Sequence, residues 1–269
     1  MSSELLVTTS FALLAVDGTT GRQWRLHEGD GLYYGIAVTA DWVFVAARRR
    51  LVSSPQPIAE ERGQILVFDH AFRLRERLQA PFPLRDMHQI AWHDGALYVT
   101  CCYDDLIAVY RDGDWQRCYP RGAPPDGTVD RYHFNSLAWH DGGWCVVAHN
   151  RGASELLFCP PSLDRVTRCV LLGRQAHNVW RRDTEWCTCS SGESALVGSK
   201  GFCVETSGFP RGVAFVAGRA YIGVSAWAER AQRDASDGAI QVYTADWRLW
   251  KHWPLYRQGL VLDLQEWKE

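Results

Sequence analysis

No apolar run in the 269-residue sequence approaches the ~20 residues that a membrane-spanning helix needs, so no span and no membrane partner are expected. Excess charge is missing too: 29 Lys and Arg stand against 31 Asp and Glu, and no basic stripe breaks the balance. A nucleic-acid groove and a patch for anionic lipid are thereby excluded as expectations. Helical periodicity is absent between the repeated units described below, which disfavours a solenoid of helix pairs. The nine cysteines are odd in number, are preceded by nothing that reads as a secretory leader, and include no pair with the two-residue gap of common zinc or redox motifs. Cys101, Cys102, Cys145, Cys187 and Cys189 fall instead on one repeated strand, as small core residues of a reduced, cytoplasmic protein.

What the chain has in quantity is material for a β core: 46% hydrophobic residues, with 13 Trp. The repeating unit is clearest at residues 86–102, DMHQIAWHDGALYVTCC. An apolar run, Ile90-Ala91-Trp92, meets the turn His93-Asp94-Gly95 and leaves as Leu97-Tyr98-Val99-Thr100, the composition of a buried hairpin. The same hairpin lies without a gap over residues 34–48, 135–149, 177–191 and 211–225, at spacings near the length of a four-stranded propeller blade.

The N-terminal run Leu5 to Ser10 repeats the second strand of the hairpin with no first strand before it, and Gln258 to Asp263 matches the missing first strand. Pairing the two ends closes a ring and removes exposed sheet edges. The expectation is an all-β, six-bladed propeller forming one domain over residues 1–269. Third strands are expected at residues 11–16, 63–68, 105–110, 155–158 and 238–243, followed by outer strands of alternating charge. The stretch between His177 and Arg211 is the shortest. Two connections between second and third strands are long, the Arg-rich 48–62 and the segment 225–237, and both should rise around the mouth of the axial channel as binding elements.

Just before the apolar run of each first strand stand Tyr34, His88, Asn135, His177, Arg211 and Gln258, none aliphatic. Two residues further out lie Asp86, His133 and Gln175, and His149 ends a second strand at the same mouth. Polar residues converging on an axis need partners, which are each other, water or a ligand. His88, His133 and His177, from separate blades, are the candidate ligands of a divalent transition metal, with Zn, Fe, Mn and Cu all suited to neutral imidazole. The other reading makes them plugs bonded to carbonyls and waters of the channel. Arg211, flanked by Gly208 and Gly212, is placed to hold a carboxylate bidentately, or else stacks on Phe209 or pairs with Glu193 or Asp86. Tyr34 and Tyr256 are candidate proton donors or stacking walls, and His93 and His140 belong to turns at the opposite face.

The segments RYHFNSLAW (131–139), RQAHNVW (174–180), CSSGESALV (189–197) and GFPRGVAFVAGRAYIGVSAWAER (208–230) resemble an uncharacterised bacterial β-propeller family known only as a domain of unknown function. The resemblance implies the propeller fold and importance for His133, Asn135, His177, Glu193 and Arg211, and it brings no reaction with it. More distantly, HQIAWHDGALYV is similar to the blades of propeller lyases and lactonases, among which peptide-amidating lyases hold zinc with three histidines from different blades. Together these readings give a metal-dependent lyase or hydrolase acting on a small carboxylate-bearing molecule or peptide. His88, His133 and His177 would bind the metal, Arg211 would orient the anion, and Asn135, Glu193 or Tyr34 would assist proton transfer. The alternative is a non-catalytic propeller that binds a protein or ligand on the same face.

Overall fold

A computed structural model describes residues 4–125, 127–149 and 152–268 of the chain. Six antiparallel sheets of four strands form a ring, a six-bladed β-propeller. Blade one is composite: the C-terminal strand Val261–Trp267 is innermost, followed by Glu4–Thr9, Ala12–Asp17 and Gln23–Glu28. The pairing Leu6↔Gln265 and Val7↔Leu264 closes the ring as expected. The closing strand buries Val261, Leu262, Leu264 and Trp267, each contributing roughly 1.5–3 kcal/mol of apolar burial.

The inner strands of blades two to six are Tyr33–Val38, Met87–His93, Phe134–His140, Ala176–Arg182 and Phe209–Val216. Each turns through a short hairpin into a second strand buried on both faces, such as Val43–Ala47 and Ala96–Cys101. That double burial explains the continuous apolar runs and the small Ala and Cys residues. The core is divided into six packets, one at each interface between neighbouring blades. Outer strands alternate between half-buried and exposed residues, and the outermost strand of blade five is the shortest, Cys203–Glu205.

The C-terminal register differs from the sequence expectation. The chain is still turning at Arg257 and Gly259, both at positive φ, and enters its strand only at Val261. Leu262 therefore takes the ring position assigned to Gln258, whose amide oxygen instead accepts from Arg25 at the exterior.

Candidate functional site

All six inner hairpins carry a register shift at the same end, for example between Met87 and Ile90 and between His177 and Val179. A bulge inserts a residue and re-aims its neighbours, so each blade offers the axis two successive residues. One level holds Tyr34, His88, Asn135, His177, Arg211 and Leu262. The next holds Gly35, Gln89, Ser136, Asn178, Gly212 and Asp263.

The second level is closed by hydrogen bonds running from blade to blade. Asp263 Oδ2 accepts from the Ile36 N–H, Gln89 Oε1 from Leu137, Ser136 Oγ from Asn178, and Asn178 Oδ1 from Gly212, at 2.7–3.1 Å. At the two remaining junctions the residue is glycine. A Cβ at Gly35 would sit on the Ile90 nitrogen, and one at Gly212 would lie 2.7 Å from the Leu264 nitrogen, so these backbones meet directly. Burial lifts the Asp263 carboxyl to about 7, against three N–H donors that favour its ionised form.

The first level opens into a cavity of about 320 Å³ at the face where the two long connections lie. Val52 and Ile58 of the first connection and Arg230 and Arg233 of the second line its rim. Asp234 joins the two connections by accepting the N–H groups of Val52 (3.1 Å) and Ser53 (2.7 Å).

Four histidines stand around this cavity. Ring centres are 5.1 Å apart for His88 and His133, 6.1 Å for His88 and His177, 4.3 Å for His133 and His149, and 5.6 Å for His149 and His177. The hydrogen bonds of three of them fix the tautomer. His88 Nδ1 lies 2.9 Å from the Asp86 carbonyl, which can only accept, so Nδ1 carries the proton. His133 Nδ1 donates to the Asp130 carboxylate at 2.6 Å. His177 Nδ1 meets Ser191 Oγ at 2.8 Å, and that hydroxyl donates its own proton to the Pro210 carbonyl at 2.6 Å, so here too Nδ1 is the donor. Each ring therefore keeps its lone pair on Nε2, which has no hydrogen-bond partner among the described residues; that of His177 is fully buried. Burial drives His88 to about 3, His149 to about 2 and His177 well below its ordinary value, toward the neutral form, with Arg211 adding to the push on His177.

The backbone is bent to deliver these groups. Asp86, His133 and Gln175, at matched positions in three blades, have φ of 51°, 51° and 46°, a left-handed conformation that non-glycine residues seldom adopt outside tight or functional sites. Asp105 holds the approach to His133 by accepting the N–H groups of Arg131, Tyr132 and His133. Asp86 is held by its N–H on Glu61 at 2.9 Å and by its carboxylate on Arg48, which also grips Glu61 through Nε and Nη2. Burial by itself would raise the Asp86 carboxyl, but Arg48, with His88 and His133, holds it below the usual carboxylate range. Asp86, His88, Cys102 and His133 each have a ligand atom within 4.8 Å of the others.

The residues singled out from the sequence divide in two. Tyr34, His88, His133, His177, Arg211, Asp86 and His149 all line the cavity. Tyr34 packs against His88 at 4.6 Å, and Arg211 stacks on Phe209 at 4.8 Å rather than pairing with Glu193 or Asp86. Asn135 is correctly placed on the axis but turned to structural use: Nδ2 donates to the Ala176 carbonyl and Oδ1 accepts from Ser136. Glu193 is exposed, binds the Ser190 hydroxyl and does not line the cavity; Tyr256 is 71% exposed and lies apart from it. His93 and His140 sit at hairpin turns, His93 stacked on Trp139 at 3.9 Å. Arg230 and Arg233 were not legible as site residues, because loop residues have no place in a repeat alignment, and Arg48, which ends the 34–48 hairpin at the position of His149, stands out in the sequence only as part of the Arg-rich connection. Cys102, expected as core filler, has its thiol 3.0 Å from His88 Nδ1 while donating to the Phe134 carbonyl. It supports that ring from the side away from Nε2.

No protein-family model and no curated protein matches the chain. Among solved structures it is similar to a protein of unknown function from Bacteroides caccae, with TM-score 0.71, 12% identity and full coverage of both chains. It is also similar to a chain in a nidogen/laminin complex, with TM-score 0.68, 11% identity and 98% of each chain covered. At such identities the likeness shows the propeller fold alone.

Proposed function

We propose that the cavity is the site of a metal-dependent propeller enzyme, a lyase or hydrolase, in which His88, His133 and His177 hold a divalent transition metal. The observation that carries this reading is the common tautomer: three imidazoles on three blades line one cavity, each anchored through Nδ1 and with Nε2 unpartnered among the described residues. Anchoring of the distal nitrogen by carbonyl, carboxylate or hydroxyl is the usual outer support of histidine ligands. Two imidazoles on one tetrahedral ion have ring centres roughly 5 Å apart at metal–nitrogen lengths of about 2.0–2.1 Å, close to the separation of His88 and His133. Imidazole donors with a neighbouring carboxylate suit Zn, Fe, Mn or Cu.

Held by these three side chains, such an ion would supply Lewis-acid chemistry, polarising a substrate oxygen or lowering the pKa of water toward ~7. Arg211 would orient the carboxylate of a small molecule or peptide end, and Tyr34, which lines the cavity beside His88, would assist proton transfer. Elemental analysis of protein purified without an affinity tag is the test. Near-stoichiometric metal is expected in the wild type and in His93→Ala and His140→Ala, with severe loss in His88→Ala, His133→Ala and His177→Ala. Equal content in all of them would make the histidines channel plugs and leave a non-catalytic propeller that binds its ligand on the same face.

A further inference from the structure

Beside the histidines, three arginines line the cavity. Arg211 comes from the inner strand of blade six, and Arg230 and Arg233 from the single 3-10 turn Arg230–Ala235 in the second connection. Residues three apart eclipse one another in such a turn, so Arg230 and Arg233 share a side. All three line the cavity. Among the described residues none of them has a carboxylate partner. The Nε of Arg211 is buried with no acceptor, and Arg233 makes one bond, to the Ala228 carbonyl at 3.3 Å.

The acids nearby are committed elsewhere. Asp86 is paired with Arg48, Asp130 receives His133, and Asp234 of the same turn accepts two backbone N–H groups. Three like charges are thus gathered at a partly buried wall, where their repulsion is stronger than in water. Burial, then Arg211 and Arg230, favour the neutral form of Arg233. A single carboxylate offsets one of the three charges; two negative charges offset most of the wall. The volume of about 320 Å³ is at the low end of small-molecule sites and suits a compact ligand.

We infer that the Arg211, Arg230 and Arg233 wall binds a compact dianion, the charge presented by a dicarboxylate or a phosphate monoester, and that the substrate of the proposed enzyme carries two negative charges. The inference rests on the metal reading only for placing the reacting end at the histidines; anion binding itself needs no metal. Calorimetric titration of the protein as purified, and after chelation, with succinate, inorganic phosphate and acetate at matched ionic strength tests it. Succinate or phosphate should bind and raise the melting temperature, while acetate should do neither. Response to succinate alone identifies a dicarboxylate site, and to phosphate alone a phosphoryl site. Arg230→Gln, at an exposed position, and Arg233→Gln should each weaken binding by roughly 10- to 100-fold, the loss expected for a charge-assisted contact. Arg233→Lys should recover part of it, and Arg165→Gln, remote and exposed, should change nothing. Acetate binding as well as either dianion, or dianion binding unchanged in both glutamine variants, overturns the inference. Metal content of the same samples is read independently: a dianion bound without metal removes the enzyme reading and keeps this one, and metal without dianion binding does the reverse.

Discussion

Two rings of side chains share the axis of this propeller, one residue apart along each inner strand, and they satisfy buried polarity in opposite ways. In the second ring the oxygens of Gln89, Ser136, Asn178 and Asp263 are taken up by backbone N–H groups of the next blade. In the first, His88 and His177, with His133 beside them two residues outward of Asn135, spend only Nδ1 on the protein, while Asn135 itself is bonded like the second ring. The second ring therefore reads as a fastening between blades and the first as a site. Polarity at a propeller axis is not by itself a sign of function; what separates the two is whether the polar atoms are already partnered.

The largest effect that sharpens this contrast is expected at the histidines of the cavity. His133→Ala or His177→Ala should weaken metal binding by more than the roughly 10- to 100-fold typical of outer-shell changes, measured by competition with a chromophoric chelator. The urea midpoint of the metal-free variants should barely move. A variant that keeps its metal and loses its stability would erase the distinction between the rings.

Asp263→Asn should show the reverse. All three contacts of this carboxylate are with donors, the N–H groups of Ile36 and Leu264 and the Asn178 amide, so an NH₂ in place of either oxygen faces another donor. The expected loss is about 1–3 kcal/mol of stability in urea unfolding, with metal content unchanged. The pH dependence divides the rings as well. The Asp263 carboxyl lies at about 7 folded and near ~3.9 unfolded, so the folded state binds more protons between these values and the stability from this group falls as pH rises through that window. The Asp263→Asn penalty should accordingly be larger at pH 5 than at pH 8. His88 works the other way: at about 3 folded and near ~6.5 unfolded, it makes the metal-free protein lose stability as pH drops through that interval. A penalty for Asp263→Asn that grows with pH would contradict the burial argument.

A smaller effect is expected one shell out. Asp130→Asn keeps the volume of the group that holds His133 Nδ1 but removes its charge, and should lower metal affinity about tenfold without altering the melting temperature of the metal-free protein. Loss of stability instead, with affinity retained, would make Asp130 a fastening like Asp263.

Much of this was legible because the repeat is a hydrophobic pattern. Second strands such as Val43–Ala47 and Ala96–Cys101 are buried on both faces, so their continuous apolar runs and the turn residues before them register the hairpins against one another, and the unmatched terminal strands announce the closure. The pattern stops where the strands stop. Gln258 was misplaced because the turn at Arg257 and Gly259 moves the strand start, and Asn135 and Glu193 were given functions because a residue type does not disclose whether its polar atoms are already bonded.

The sequence by itself determined the six-bladed ring, its closure, the axial placement of His88, His133, His177 and Arg211, and the two connections at the mouth, because each follows from short-range periodicity and repeat length. Tertiary structure alone decided that Nδ1 of His88, His133 and His177 is anchored, that Cys102 backs His88, that Arg48 ties Asp86 to Glu61, and that Arg230 and Arg233 join Arg211 at the cavity. Some of those contacts are local, His88 to Asp86 and His133 to Asp130, and others cross from blade to blade, Arg48 to Asp86; in both cases the partner is chosen by the bend of the backbone and the packing of blades, which hydrophobic periodicity does not encode.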